Sequence, residues 1–153
     1  MQPLGLAPLL QTVSTDVTNS VRRAAFANGE DVIIEATMTS PMYAERLLLS
    51  LAKTMYTDLL IVLSDTSRTE AHRRVVDRWW HDRETDPLGG RLIKPETIDA
   101  AYNNDNASTC VENATALLNT VRSGTTILEH ASLITYVNGE LLSSDSYPPR
   151  AMP

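Results

Sequence analysis

The stretch "LLIVL", residues 59–63, is apolar at every position, as is typical of a strand buried on both faces of a sheet. A similar run, "DVIIEAT" at residues 31–37, predicts an earlier buried strand that ends at Glu35. Between them, the cap and proline of "TSP" at 39–41 open a helical pattern with the apolar positions Ala44, Leu47, Leu48, Leu51 and Met55. Strand, helix and strand of this kind predict an α/β fold of parallel strands covered by helices.

The predicted helices extend in both directions from these strands. One begins at Thr15 or Asp16, stops at Asn28-Gly29 and has an apolar side made of Val17, Val21, Ala24 and Ala25. Asp65 and Ser67 resemble a cap for the helix "RTEAHRRVVDRWWHDRE", which Pro87 and Gly89-Gly90 end. The apolar stripe of that helix consists of Val75, Val76, Trp79 and Trp80, with His72 as a packed core residue.

The C-terminal half predicts one more helical region and a hairpin. Pro95 opens the helical region, the polar cluster 103–106 bends or breaks it, and Gly124 closes it. In "SLITYVNGELLSS", Asn138-Gly139 separates two strand-like runs, which predicts a β-hairpin. The sequence therefore divides into an irregular N-terminal arm (1–14), one folded domain (15–145) and a loose tail (146–153).

Charge and composition exclude several classes of function. Thirteen Lys and Arg against nineteen Asp and Glu give a net charge of −6, which argues against a duplex nucleic-acid surface but leaves room for a small anion. Cys110 is the single cysteine, so no internal disulfide forms. No apolar run approaches the roughly 20 residues of a membrane span, and the N-terminal stretch is not a convincing secretory signal. These features predict a cytoplasmic protein with no membrane or nucleic-acid partner.

Glu35 is a candidate site residue, because ligands of open α/β sheets bind at the carboxyl ends of the strands. The alternative is a strand-end residue that faces water. Thr37 and Thr39 follow in the same loop, where each is either a ligand contact or a turn or cap residue.

Two arginines bracket a loop and are candidates for binding an anion. Arg78 falls on the polar side of its helix, where a solvated pair with Asp82 is the alternative, and Arg91 follows Gly89-Gly90. An arginine aimed at a transferring phosphoryl group can contribute roughly 10³–10⁵ in rate. The histidines lack the spacing of a zinc site, and Cys110 has no basic neighbour in sequence, which favours a buried structural thiol.

A phosphate-cradling P-loop is absent from these 153 residues. That motif, Gly-x-x-x-x-Gly-Lys-Ser/Thr, needs a lysine directly after a glycine. The two lysines, Lys53 and Lys94, follow other residues.

Taken together, residues 15–145 resemble the C-terminal portion of the zeta-toxin family of P-loop kinases. "VIIEAT" matches the family's strand ending in Glu-Gly-Thr, with Ala36 in place of glycine. Arg78-Trp79 matches an Arg-aromatic element, and "GGRLIKPETIDAAY" matches the following loop and helix, although Ile98 stands where histidine is common. The terminal strand–turn–strand agrees as well.

The resemblance implies a partial, three-layer P-loop kinase-like fold and an ATP- and Mg²⁺-dependent kinase acting on UDP-N-acetylglucosamine or a related nucleotide sugar. It assigns Glu35 and Thr37 to the sugar substrate, and Arg78 and Arg91 to the ATP phosphates as catalytic and nucleotide-binding residues; it assigns no residue to a metal. An antitoxin protein is the implied partner. In the family the P-loop and the catalytic aspartate precede the matched region, so we expect this chain to be a truncated kinase domain, inactive alone.

Two alternatives stay open. The chain could be a non-catalytic, degenerate kinase fold that binds an antitoxin or a paralogue through an exposed sheet edge. It could also be an unrelated α/β domain whose resemblance to the family is accidental.

Overall fold

The computed structural model describes residues 6–85 and 92–148, with side chains from residue 13 onward within those ranges. Its elements are α1 (Leu6–Ala27), α2 (Pro41–Lys53), β1 (Asp58–Asp65), α3 (Arg68–Thr85), α4 (Pro95–Asp99), α5 (Thr109–Arg122), β2 (His130–Val137) and β3 (Glu140–Tyr147). This mixture of helices with a three-stranded sheet confirms the predicted α/β class, in the form of a partial P-loop kinase-like fold.

The sheet has the strand order β1-β2-β3. β1 pairs in parallel with β2, with Ile61 opposite Leu133, and β2 pairs antiparallel with β3. Asn138 (φ 53°) and Gly139 (φ 90°) link β2 to β3, and positive φ at both positions is what a two-residue I′ hairpin turn requires. The predicted hairpin is confirmed, and so is a parallel sheet that contains the 59–63 strand.

The core lies between α5 and one face of the sheet. Four side chains of α5 are at most 2% exposed: Ala114, Leu117, Leu118 and Val121. They join Ile61 and Leu63 of β1 in one cluster with residues of β2 and α2. The predicted break in this helical region is confirmed, because α4 ends at Asp99 and α5 begins at Thr109, with Ser108 accepting a hydrogen bond from the Cys110 amide at 3.2 Å.

The segment 31–37 is not a strand, so that prediction was wrong. Its backbone has neither helical nor strand structure, Ile33 is fully exposed, and Val32 and Ile34 pack only partly against the core. Side chains bind carbonyls near its end: Cys110 Sγ donates to Thr37 O, and Asn113 Nδ2 to Met38 O at 2.7 Å. An apolar run favours an extended backbone, but a β-strand also needs a neighbouring strand to satisfy its backbone hydrogen bonds. Among the described residues β1 pairs only with β2, so the segment 31–37 has no strand to pair with there.

α1 ends at Ala27, directly before the predicted stop at Asn28-Gly29, but its start and its apolar side differ from the prediction. The helix already begins at Leu6, so residues 6–14 are helical rather than irregular. Its expected apolar side faces solvent, with Val17 56% and Val21 63% exposed, while Phe26 in the last turn is buried and its ring centroid lies 5.3 Å from that of Tyr56. The helix contacts the core through this last turn.

Two further helical predictions need correction. In α2, Ala44 and Leu51 are buried as expected, but Met55 lies beyond the helix end with φ 61° and is 76% exposed. In α3 no described side chain is buried, and Val76 and Trp80 are 46% and 54% exposed. The α3 stripe therefore does not reach the core.

The start of the predicted C-terminal tail is part of a strand. β3 runs to Tyr147, so the tail predicted at 146–153 starts within a strand, and residues 149–153 lie outside the described part. None of the described helices is both long enough and apolar enough to cross a bilayer.

Candidate functional site

The carboxyl end of β1 is the meeting point of three segments. Thr66, just after the strand, donates from Oγ1 to Asn138 Oδ1 at 2.8 Å, and the Asn138 amide donates to Asp65 O at 3.1 Å. The Tyr102 hydroxyl donates to Thr66 O at 3.1 Å. The hairpin turn and the α4–α5 connection are therefore both fixed to the edge of the sheet where ligands of α/β proteins bind.

α3 brings guanidinium groups to this same edge. Arg74 donates from Nη2 to Asn138 Oδ1 at 3.0 Å and from Nε to Glu70 Oε1 at 2.8 Å. Arg78 lies one helical turn further on and is exposed. Because residues four apart share a helix face, Arg78 lies on the same side of α3 as Arg74.

Arg78 makes no hydrogen bond or ion pair with any described residue, so the alternative pair with Asp82 does not form there. Its guanidinium remains accessible to an anion. Arg91 lies outside the described residues, and its assignment stays a prediction.

Glu35 and Thr37 lie in the irregular segment 31–37, which a side-chain contact ties to the start of α5. Thr37 is held through its carbonyl by Cys110 in the first turn of α5, and the adjacent Thr109 amide donates to Ala101 O at 2.9 Å. Consecutive contacts therefore connect this segment, through residues 101 and 102, to the end of β1. The Glu35 side chain is exposed and makes no hydrogen bond or ion pair with Arg78.

An open hollow of about 400 Å³ lies beside this segment. Its lining consists of Thr39 from the irregular segment and four residues in and just after α4: Glu96, Thr97, Ala100 and Ala101. Thr39 thus has a position next to a concave surface, which its sequence context did not distinguish from a turn or cap.

Comparison with known proteins identifies the family. The family model described as "Zeta toxin" matches residues 6–131, most of the 153-residue chain. The chain belongs to the zeta-toxin family. No curated protein and no solved structure matches it. The predicted kinase-like family is confirmed, and the alternative of an unrelated α/β domain is wrong.

In this zeta-toxin-family chain, a polar cluster joins α3 to α4. Asp99 Oδ1 accepts from Arg68 Nε at 2.7 Å and lies 2.8 Å from His72 Nε2. The hydrogen bond from Arg68, and then that with His72, hold the pKa of Asp99 below its usual value. The prediction of His72 as a packed core residue was wrong, because its side chain is 35% exposed and pairs with a carboxylate.

Cys110 is suited to a structural role in the zeta-toxin chain. Burial raises the pKa of its thiol, which therefore stays protonated at neutral pH and can donate to Thr37 O. A protonated, partly buried thiol is a poor nucleophile. This agrees with the sequence interpretation, although Cys110 is only partly buried.

Sequence reasoning missed four residues that build the edge of the sheet: Thr66, Arg74, Tyr102 and Asn138. The sequence analysis identified Asn138 only as part of a turn signal and did not single out Arg74. Their contacts join positions 36 to 72 residues apart, so no local pattern identifies them.

Acid is expected to loosen α3 through Glu70. Hydrogen bonds from Arg73 and then Arg74 lower the pKa of Glu70 from 4.5 to about 2. A carboxyl whose folded-state pKa is lowered contributes stability above its unfolded pKa, and this contribution disappears as pH falls through about 2. We expect the wild-type protein to lose helical circular dichroism as the pH falls from about 4.5 to about 2. Glu70→Gln should have a weaker helical signal at neutral pH and should lose less of that signal on acidification.

Glu84→Gln, at the exposed C-terminal end of α3, is the matched control and should titrate like wild type. Superimposable acid titrations of the wild type and Glu70→Gln would contradict the role of Glu70.

Proposed function

We propose that this chain is the substrate- and phosphate-binding part of a kinase that transfers a phosphoryl group from ATP to UDP-N-acetylglucosamine or a related nucleotide sugar. Membership of the zeta-toxin family supports the class of reaction. The observation that carries the location is the Arg74–Asn138 hydrogen bond, which sets the guanidinium-bearing face of α3 at the carboxyl end of β1.

The roles follow from the chemistry of the side chains. Arg78, exposed and unpaired among the described residues, contacts the phosphates of ATP and neutralises the charge that develops during transfer; Arg91 is proposed to act with it. Glu35 accepts hydrogen bonds from hydroxyl groups of the nucleotide sugar. Thr37 contributes its hydroxyl group beside Glu35. The contact between its carbonyl and Cys110 of α5 holds the Thr37 backbone in place.

Two components of the proposed reaction are not assigned to residues of this chain. Their sequence contains no P-loop, whose backbone amides and lysine anchor the terminal phosphates of ATP, and we assign no catalytic aspartate. Within the described residues no group of three or more His, Cys, Asp and Glu side chains lies close enough to hold a metal ion, and we assign no residue to one. We therefore propose that this chain binds substrate but does not transfer phosphate alone.

A second function, that of a protein-interaction module for an antitoxin or a paralogue, is favoured by the free edge of β1. β1 lies at one end of the described sheet, and Leu60 and Val62 on its second face are 62% and 60% exposed. It carries no lysine or proline, residues that commonly protect an edge strand from pairing with another chain.

Binding of UDP-N-acetylglucosamine to the 153-residue protein, measured by isothermal titration calorimetry, tests the first function. We expect the wild type to bind and Glu35→Gln to bind about tenfold more weakly, because a hydrogen bond to a carboxylate is lost. Glu129→Gln, another exposed carboxylate, should bind like wild type.

Absence of binding by the wild type would contradict the proposed kinase role. Stable association with a partner protein, weakened by Val62→Lys at the β1 edge, would then favour the interaction module.

A further inference from the structure

We propose that a second copy of this chain covers the open face of the sheet with its helix α1, so that two copies form a symmetric dimer. The open face is the face that points away from α5. Its apolar residues are Leu60 and Val62 of β1, Ile134, which lies opposite Val62, and Tyr136 and Leu141, which lie opposite each other. Neither α1 nor this face contains a residue that we propose for binding ATP or the nucleotide sugar, so this inference does not depend on the proposed kinase function.

The open face is apolar and uncovered in the described part of the chain. Successive side chains of a strand point to opposite faces, so Ile61 and Leu63, which are buried in the core, leave Leu60 and Val62 on the open face. These two residues are 62% and 60% exposed, and Leu141 is 59% exposed. Parallel strands are usually covered on both faces. β1 and β2 therefore lack one covering layer among the described residues.

The helix α1 presents an apolar stripe that the core of its own chain does not cover. Val13, Val17 and Val21 recur at intervals of four residues along one side of the helix, and they are 61%, 56% and 63% exposed. Phe26 anchors α1 in the core and follows Val17 by nine residues, which is about two and a half helical turns. The stripe therefore lies on the side of α1 opposite Phe26, where another molecule can reach it.

The charges of the two surfaces are opposite. α1 contains two arginines, Arg22 and Arg23, against one acidic residue, Asp16, which gives the helix a net charge of +1. The three strands contain no lysine or arginine. Their acidic residues are Asp58, Asp65, Glu140 and Asp145. Asp145 pairs with Arg122, whereas the other three form no ion pair with a described residue. A basic helix is therefore electrostatically suited to this acidic sheet.

The dimensions of the helix and the sheet agree as well. α1 has 22 residues and is about 33 Å long, whereas the eight-residue strands are about 26 Å long. One helix can therefore run the full length of the open face. Because each copy carries both surfaces, two copies related by a two-fold axis make two such contacts at once. These contacts use side chains on the face of the sheet rather than backbone groups at the β1 edge.

Analytical ultracentrifugation of the 153-residue protein tests the inference. We expect the wild type to form a dimer with twice the chain mass of 16.9 kDa. Val17→Asp in the stripe and Leu60→Asp on the open face should each raise the dissociation constant of the dimer at least about a hundredfold, because each places a charge in an apolar contact. Leu49→Asp is the matched control, since Leu49 is a 56% exposed leucine of α2, and it should dimerise like the wild type.

A mixture of the two variants gives a sharper measurement. Val17→Asp retains an intact open face and Leu60→Asp retains an intact α1, so one of the two contacts in a mixed dimer is unchanged. Mixing should therefore produce more dimer than either variant forms alone at the same total concentration. Circular dichroism verifies that each variant is folded, and recovery of the dimer on mixing shows the same independently.

Four results overturn the inference. A wild-type protein that is monomeric at every concentration tested excludes a second copy as the occupant of the open face. A dimer that Val17→Asp disrupts but Leu60→Asp leaves intact identifies pairing between two α1 helices instead, and the reverse pattern identifies pairing between two sheets. Disruption by both variants without recovery on mixing contradicts the placement of α1 on the sheet of the second copy.

Discussion

Replacing Arg78 by alanine is expected to lower the rate of phosphoryl transfer by about 10³-fold when the chain is supplied with a fragment that bears a P-loop. Arg78 is exposed on the side of α3 that faces the carboxyl end of β1, and no described side chain neutralises it. The substitution removes a positive charge that would lie beside the transferring phosphoryl group, whose developing negative charge is poorly solvated in the site. Formation of phosphorylated UDP-N-acetylglucosamine from ATP, followed chromatographically, gives the rate.

Arg46→Ala on exposed α2 is the control for general loss of positive charge and should retain the wild-type rate. Arg78→Lys should recover only part of the activity, because an ammonium group cannot make the paired hydrogen bonds of a guanidinium. Without the P-loop fragment we expect no detectable product.

Two results would contradict these assignments. Wild-type rates in both Arg78→Ala and Glu35→Ala would remove the proposed site. Robust turnover by the 153-residue chain alone, abolished by Arg91→Ala, would show that the chain does not need the P-loop.

The second large effect concerns the core. Leu118→Ala is expected to lower the free energy of unfolding by about 3 kcal/mol, within the range of roughly 2–5 kcal/mol for a buried leucine. Leu118 is 1% exposed and sits in the cluster where α5 packs on β1 and β2. The truncation leaves a cavity as well as losing buried apolar surface. Urea unfolding followed by circular dichroism measures the change.

Leu49→Ala provides the matched comparison, because Leu49 is a helical leucine that is 56% exposed. We expect it to change stability by less than about 0.5 kcal/mol. Equal destabilisation by the two substitutions would show that α5 does not organise the core.

The fold was predictable where a local pattern alone determines the structure. Asn138-Gly139 specifies its turn because both residues tolerate positive φ, and α5 has an apolar stripe that spans one face for its full length. The segment 31–37 has an equally strong strand pattern but forms no strand. Strand formation depends on a second strand that pairs with the segment, and the residues of the segment do not reveal whether such a strand is present. The partner of β1 begins 65 residues after the end of that strand, in β2.

The candidate site was predictable in its residue types rather than in its architecture. Arg78 and Glu35 were selected by context and resemblance, and the structure places each on a segment linked to the carboxyl end of β1. The contacts that create those links, such as Arg74 with Asn138 and Tyr102 with Thr66, are between distant parts of the chain. Charged residues at helical spacing have the same pattern whether they face water or a ligand, so sequence alone could not separate the two.

The absence of buried side chains among the described residues of α3 has a consequence for ligand affinity. Helices without core contacts belong to the parts of a protein that open locally at little free-energy cost, long before global unfolding. Any anion that contacts α3 must therefore offset the loss of backbone freedom when the helix becomes ordered. By linkage, the same anion protects the helix from opening, so occupancy and local rigidity increase together.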